Sequence, residues 1–353
     1  MISSGTIGRW PIIGNGHVID FLSKSIALGR IAHSYIFYGP EDVGKSRLAF
    51  FFAQILLCAG EKEKPCGACP SCRQFDRFFA AHFGKDGQAD AAGEPASGDL
   101  AVIKKAADKK NITIEQVREL ISRLSMSSFL NGHKIGIIKD AHLLSEDAAN
   151  ALLKTLEEPS GRAVVILTTS HPELLPGTII SRSQVLRLRP APYEEIYDLL
   201  LRLGADRSEA QNISRLALGR PALAVKFYEN KDFYSAYLDK AREMLDNLNK
   251  NAAEKIMYAE GLCKKAGEAS GGGQALADLE IFESLARDFI LFQLGQKDLM
   301  KHWAIMNEIE KAAGGKSLDF LADLSDRIKE AKVYIKANVS PELAIGNLLV
   351  GLP

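Results

Sequence analysis

The run Gly39-Pro40-Glu41-Asp42-Val43-Gly44-Lys45-Ser46 constrains this chain more than any other stretch. It fits the phosphate-loop pattern G-x-x-x-x-G-K-[ST] in full, and its flanks are the ones the pattern needs. Tyr35-Ile36-Phe37-Tyr38 reads as a buried strand before it, and Leu48 to Leu56 as a helix after it. Gly39 and Gly44 let the backbone wrap its N–H groups around a phosphate chain. The helix N-terminus adds a field that favours anions. In such a loop Lys45 reaches the outer phosphates and Ser46 ligates magnesium. The competing reading is a chance glycine-rich turn, and the complete motif with both flanks speaks against it.

The chain has 353 residues, enough for two or three domains, and its 46% hydrophobic content supports sizeable cores. Lys plus Arg and Asp plus Glu number 44 each, so the formal net charge is zero. That excludes an autonomous nucleic-acid binder held by bulk positive charge, while local contacts within an assembly stay open. No apolar run is long enough to cross a bilayer, and Met1-Ile2-Ser3-Ser4-Gly5-Thr6 lacks the basic-then-apolar pattern of a secretory signal. The expected location is the cytoplasm, without membrane attachment.

Up to about residue 192 the pattern alternates strands with helices. The strands are expected at Ser34–Tyr38, Leu100–Lys104, Lys134–Ile138, Ala163–Thr168 and Gln184–Leu188. The natural solution is an α/β fold, a parallel sheet covered by helices on both faces. Phe83–Gly98, rich in Gly, Ala and Asp, reads as a flexible insertion. Pro190-Ala191-Pro192 marks a boundary, after which strand signals vanish. Residues 193–232 read as a small helical bundle, with Ile196, Leu199, Leu200 and Leu203 at helical spacing. Residues 233–353 are helical again. Ser270-Gly271-Gly272-Gly273 reads as a loop, and Leu279, Phe282, Leu285, Phe289 and Phe292 as an apolar stripe for a core or a subunit interface.

Three further constellations carry chemistry. Cys58, Cys66, Cys69 and Cys72 include a C-x-x-C-x-x-C run, and four thiolates can close a tetrahedral zinc site. An iron–sulfur cluster is the alternative. A full set of four protein ligands leaves no open position, so such a zinc is structural; Cys263, alone in a helix, reads as core. The strand Ile135-Gly136-Ile137-Ile138 ends in Lys139-Asp140. ATP-hydrolysing phosphate-loop proteins usually carry an acidic pair there, one carboxylate for magnesium and one for the attacking water. A cation at the first position disfavours the metal, so phosphate binding is kept and the hydrolytic machinery is degraded. Finally, Arg182 in Ser181-Arg182-Ser183 precedes the last sheet strand, either as a solvated charge or as an arginine finger toward a neighbouring subunit's phosphate.

The order of these motifs resembles the delta-prime subunits of the bacterial DNA polymerase III clamp loader, over nearly the whole chain. The resemblance runs from Ile12-Ile13-Gly14-Asn15 through Gly29 to Phe37, the phosphate loop, the cysteine cluster and Ile114-Glu115-Gln116-Val117-Arg118. It includes Asn150-Ala151-Leu152-Leu153-Lys154-Thr155-Leu156-Glu157-Glu158-Pro159, and it ends in Asn338 to Ala344 and Asn347-Leu348-Leu349. It implies an AAA+ phosphate-loop module over 1–192 with a zinc element at about 58–72, an all-α lid over 193–232 and an all-α collar over 233–353. It further implies a ring-like hetero-pentamer with delta and gamma or tau subunits, which opens the sliding clamp and places it on primed DNA at the expense of ATP.

Carried over by position, Gly39, Gly44, Lys45 and Ser46 match the phosphate and magnesium contacts. Thr169 matches a first sensor, with Thr168 the one-residue alternative, and Arg220 in Gly219-Arg220-Pro221 matches a second sensor. Arg182 matches the trans-acting finger of the family's S-R-C motif, with Ser183 in place of its cysteine. Lys139-Asp140 departs from the acidic pair of the motor subunits. The expectation is a largely non-hydrolysing stator, in which binding of ATP or ADP with Mg2+ stays open. The alternative is a gamma- or tau-like motor ATPase. A small-molecule kinase fits least well, since no second substrate pocket is visible.

Overall fold

Apolar runs that alternate with helical stretches set the architecture up to residue 196. In this computed structural model the described residues are 6–7, 10–61, 63–83, 98–106, 108–126, 128, 132–159, 161–248, 250–266 and 271–351. The expected insertion Phe83–Gly98 lies, but for its two ends, outside them. In chain order the elements are β1 (Thr6–Ile7), α1 (Gly16–Ala27), β2 (Ser34–Tyr38), α2 (Lys45–Leu57), β3 (Glu63–Lys64), α3 (Pro70–Phe83) and β4 (Leu100–Ile103). There follow α4 (Ile114–Ser125), β5 (Lys134–Ile138), α5 (Glu146–Glu157), β6 (Ala163–Thr169), α6 (Gly177–Ile180) and β7 (Gln184–Arg187). Contacts divide the chain into two compact units, 1–196 with 219–223, and 197–218 with 224–353.

In the first unit five parallel strands lie in the order β4-β5-β6-β2-β7. Strands β2, β5 and β6 are buried along nearly their whole length, because both faces of the sheet are covered. On one face Tyr35, Phe37, Ile135, Ile137, Val164 and Ile166 pack with Val18 and Leu22 of α1 and Leu48 and Phe52 of α2. On the other, Ile36, Ile138, Val165 and Leu167 pack with Val117 and Leu120 of α4 and Leu152 and Leu156 of α5. Strand positions therefore alternate between an α2 face and an α4/α5 face, and this alternation decides which side chains past the strand ends can meet the phosphate loop.

Strand ends move by one residue from the expectation. Strand β4 stops at Ile103, where the Lys104 carbonyl accepts a hydrogen bond from Gln116 Nε2 at 3.0 Å. Strand β6 runs on to Thr169, which stays in register with Tyr38. Helices α4 and α5 start where side chains satisfy free N–H groups. The Gln116 side chain accepts from Thr113 N at 3.0 Å, and Ser145 Oγ from Ala148 N at 3.2 Å.

Among the described residues no strand follows Arg187. The later helices are α7 (Tyr193–Leu203), α8 (Arg207–Ala217), α9 (Pro221–Glu229), α10 (Lys231–Leu248), α11 (Ala252–Ala266) and α12 (Gly271–Gln293). They continue with α13 (Met306–Ala313), α14 (Leu318–Lys336) and α15 (Pro341–Val350). The expected apolar stripe is core: Leu279, Phe282, Leu285 and Phe289 are buried, with Phe292 packed beside them. The expected loop at Gly271-Gly272-Gly273 is instead the first turn of α12. A first turn has no intrahelical acceptors for its N–H groups, so glycine is tolerated there while Ala275 and Leu279 anchor the next turns. The Cys263 side chain lies outside the described ones. Among the described residues no helix is long and apolar enough to cross a membrane.

A buried polar cluster fixes the centre of this second unit. Asp288 Oδ2 accepts from His302 Nδ1 at 2.8 Å and from the N–H groups of Lys301 and His302 at 3.0 and 2.9 Å. Tyr237 Oη lies 3.1 Å from His302 Nε2. Replacing the carboxylate strands these buried groups, so Asp288→Ala is expected to cost about 3 kcal/mol, read by urea unfolding of the full chain. Asp288→Asn, which keeps one acceptor oxygen, is expected to cost less.

Candidate functional site

The phosphate loop leaves β2 at the C-terminal edge of the sheet and enters α2. Gly39 has φ 151°, and a Cβ there would collide with the Leu188 carbonyl oxygen, so only glycine lets the loop turn this close to the strand end. Its N–H donates to the Thr169 carbonyl at 3.3 Å, which ties the loop to β6. Gly44 (φ 100°) caps α2, and the first turn of that helix holds Lys45 and Ser46 and no acidic residue. The backbone thus presents N–H donors and an undiluted positive helix end to one point. Lys45 is buried, with Nζ donating to the carbonyls of Gly39 and Pro40 at 2.8 and 2.6 Å and to Ser170 Oγ at 3.0 Å. Burial pushes its pKa below the ordinary lysine value, and Asp140, Glu41 and Asp42 oppose that shift.

Two strand ends converge beside the loop. Past β5, Lys139 is half-buried, and burial lowers its pKa against the raising effect of Asp140. Asp140 is exposed and left-handed (φ 52°), and its N–H points to Thr168 Oγ1 at 3.4 Å. That turn folds His142 back onto β6, where Nδ1 lies 3.1 Å from Thr169 Oγ1. The same hydroxyl accepts from His171 N at 3.0 Å, and the rings of His142 and His171 meet edge-on at 5.1 Å. His171 Nδ1 in turn lies 3.0 Å from Glu173 Oε1. Both threonines are buried. No sequence motif assigns a role to His142, His171 or Ser170. The available signal was the spacing of His142 from Asp140, which becomes meaningful only once Asp140 is seen to be left-handed.

Arg220 belongs to a segment that returns to the loop. Ala222 N donates to the Asp42 carbonyl at 3.0 Å, and Gly219 O accepts from Ala191 N at 2.8 Å. A Cβ on Gly219 (φ 76°) would stand 2.8 Å from the Ala191 carbonyl, so the close approach depends on glycine. At the entrance to the module Asn15 clasps Arg189: its Oδ1 accepts from Arg189 N at 2.6 Å and its Nδ2 donates to Arg189 O at 3.0 Å.

Arg182 stands apart from this group, just past α6. Its Nη2 pairs with Glu157 Oε1 at 2.7 Å, Nη1 donates to Thr178 O at 3.1 Å, and the side chain is 36% exposed. The fork is held at the surface rather than turned into its own loop. Ser183 shares a hydrogen bond with Ser34 (Oγ to Oγ 2.7 Å) and donates to Ile179 O at 2.9 Å, so a hydroxyl serves this position well.

The four cysteines come together between α2 and α3, with their Sγ atoms within 4.8 Å of one another. A tetrahedral zinc with bonds of about 2.3 Å sets sulfurs about 3.8 Å apart, so small shifts would close the site. Backbone N–H groups of Gly60 and Cys66 point at Cys58 Sγ (3.3 and 3.2 Å), that of Cys69 at Cys66 Sγ (3.4 Å) and that of Cys72 at Cys69 Sγ (3.4 Å). Such donors stabilise thiolate ligands. The N–H groups of Ala68 and Cys69 lower the pKa of the Cys66 thiol to about 6, while burial raises those of Cys58 and Cys72. A cation would draw those two protons off. The donor set is compatible with zinc.

The chain has recognisable relatives. The family described as DNA polymerase III, delta subunit, matches residues 14–192, just over half of the chain. The chain belongs to this family. Its fold is a parallel five-stranded sheet between helices, followed by a helical region. Over 95% of both chains it is 24% identical to the DNA polymerase III subunit delta' of Bacillus subtilis. It is 34% identical over 188 residues to the subunit tau of Escherichia coli, a match covering 52% of this chain and 26% of that protein. The chain thus spans only about a quarter of the length of that tau relative. A DNA polymerase III gamma subunit-related protein from Thermotoga maritima aligns over 95% of this chain and 96% of its own, at 18% identity and a TM-score of 0.37.

Proposed function

We propose that this chain is a delta-prime-like subunit of a DNA polymerase III clamp loader, a stator that hydrolyses little or no ATP itself. It assembles with gamma or tau and delta subunits in a hetero-pentamer and helps place the sliding clamp on primed DNA in the cytoplasm. The observation that carries the stator reading is Lys139. A cation directly follows β5 where hydrolysis needs a metal-holding carboxylate. Membership of the delta family and the near full-length match to a delta' subunit support it.

In this reading Gly39, Gly44, Lys45 and Ser46 cradle the phosphates of a nucleotide. Thr168 or Thr169 senses them from β6, and Arg220 reaches them from the segment tied to Asp42. Arg182 serves the nucleotide of a neighbour. The cysteine cluster holds a structural zinc. The complete phosphate loop and the higher identity to tau favour a second reading, a motor ATPase of the gamma or tau kind.

Steady-state ATPase measurement on the isolated chain separates the two. The stator reading expects no turnover above a Lys45→Ala control. Turnover on the order of 1 per second, abolished by Lys45→Ala, supports the motor.

A further inference from the structure

We propose that the phosphate-loop site takes a nucleoside di- or triphosphate without a divalent cation, the Lys139 ammonium standing where magnesium would sit. The inference deepens the nucleotide-binding part of the function above and rests on it.

Position comes first. Ile135 and Ile137 face α2, so alternation puts Lys139 on that same face, toward the first turn that carries Ser46. Ile138 pairs with Leu167, so Lys139 comes opposite Thr168, and Thr168 pairs with Phe37, two residues before Gly39. Two strand spacings of about 4.8 Å separate Lys139 from the strand that feeds the loop. The four-carbon stem of a lysine and a phosphate chain span that gap together.

Charge supplies the second observation. Lys104 follows Ile103, the ladder partner of Ile138, so it neighbours Lys139 on the same face. The positive charge of Lys104 bears unfavourably on Lys139, while Asp140 bears favourably on it. Like charges at opposed strand positions destabilise a sheet. A polyphosphate at the loop offsets that repulsion, whereas a divalent cation adds to it. Lys45 is a third ammonium at the same edge. The site therefore has the charge to balance a di- or triphosphate from its own side chains.

Calorimetric titration of the full-length chain with ADP and with ATP, once in Mg2+ and once in EDTA, tests this. The expected wild-type result is a Kd that differs by less than about threefold between the two buffers. Lys139→Met, close in size and uncharged, is expected to weaken binding in EDTA by about tenfold or more. Lys139→Asp is expected to bind about tenfold tighter in Mg2+ than in EDTA. A wild-type affinity that falls tenfold in EDTA overturns the proposal and leaves the nucleotide-binding reading standing. So does a Lys139→Met chain that binds in EDTA as tightly as wild type. No heat in either buffer from a chain with intact circular dichroism overturns both.

Discussion

On the proposed stator function, Arg182→Ala is expected to slow ATP turnover at a neighbouring motor site by about 10³-fold while leaving this chain's own stability within about 0.5 kcal/mol. The two halves of that expectation have separate grounds. The first follows from the chemistry of a guanidinium fork, which meets the charge spread over a transferring phosphoryl group and is not replaced by water. The second follows from the surroundings of Arg182: its partner Glu157 is half exposed, and an exposed ion pair contributes little to folding. The measurement is ATPase activity of a reconstituted assembly in which only the motor beside Arg182 keeps a working phosphate loop, together with thermal unfolding of the isolated variant. Arg182→Lys keeps the charge without the fork and is expected to recover only part of the rate. An unchanged rate in the Arg182→Ala assembly would remove the trans-acting role. A rate that falls together with a large loss of stability would assign the effect to folding instead.

Glu157 is the partner that the sequence did not suggest for this arginine. It sits in the run Leu153-Lys154-Thr155-Leu156-Glu157-Glu158 at the end of α5, separated from Arg182 by the whole of β6. Nothing local links the two. The five strands were legible to within one residue because each is a short apolar run between turn signals, and burial on both faces leaves such runs little choice. The phosphate loop and the cysteine set were legible because both are local patterns whose spacing is itself the chemistry. The meeting of His142 with Thr169, and of Ala222 with Asp42, depends on which way a left-handed residue turns the chain and on where a helix is returned to the sheet. Those are tertiary outcomes with no periodic signature. The Asp288–His302–Tyr237 cluster was hidden for the same reason: its members lie 65 residues apart along the chain, and the polar letters give no hint that they are buried together. The glycines at 271–273 misled in the opposite direction, since a helix start tolerates what a helix centre does not.

If the cluster holds the proposed zinc, removing it is expected to loosen the segment from Cys58 to the end of α3 and to leave the sheet standing. The cluster joins the C-terminal end of α2, through buried Cys58, to the first turn of α3, through buried Cys72. Among the described residues α3 is tied to α2 by Phe75 and Phe79, edge-on to Phe50 at 5.9 and 6.2 Å, and by Gln54 Nε2, which donates to Asp76 Oδ1 at 2.9 Å. The strands, by contrast, are buried on both faces by α1, α2, α4 and α5, which need no metal to pack. Cys72→Ser is therefore expected to lower zinc content well below one ion per chain and to lower Tm by roughly 5–10 °C, equivalent to about 2–3 kcal/mol. Hydrogen exchange should rise in α3 and the Cys58–Cys72 loop, with β2, β5 and β6 as protected as before. Elemental analysis of the wild-type chain supplies the other half of the test. Zinc near one per chain fits the closed thiolate set, whereas iron with acid-labile sulfide would make the same four ligands a cluster site. Exchange that rises across the whole sheet would mean the cysteines support the sheet's core itself, because a local staple cannot unlock strands that it does not touch.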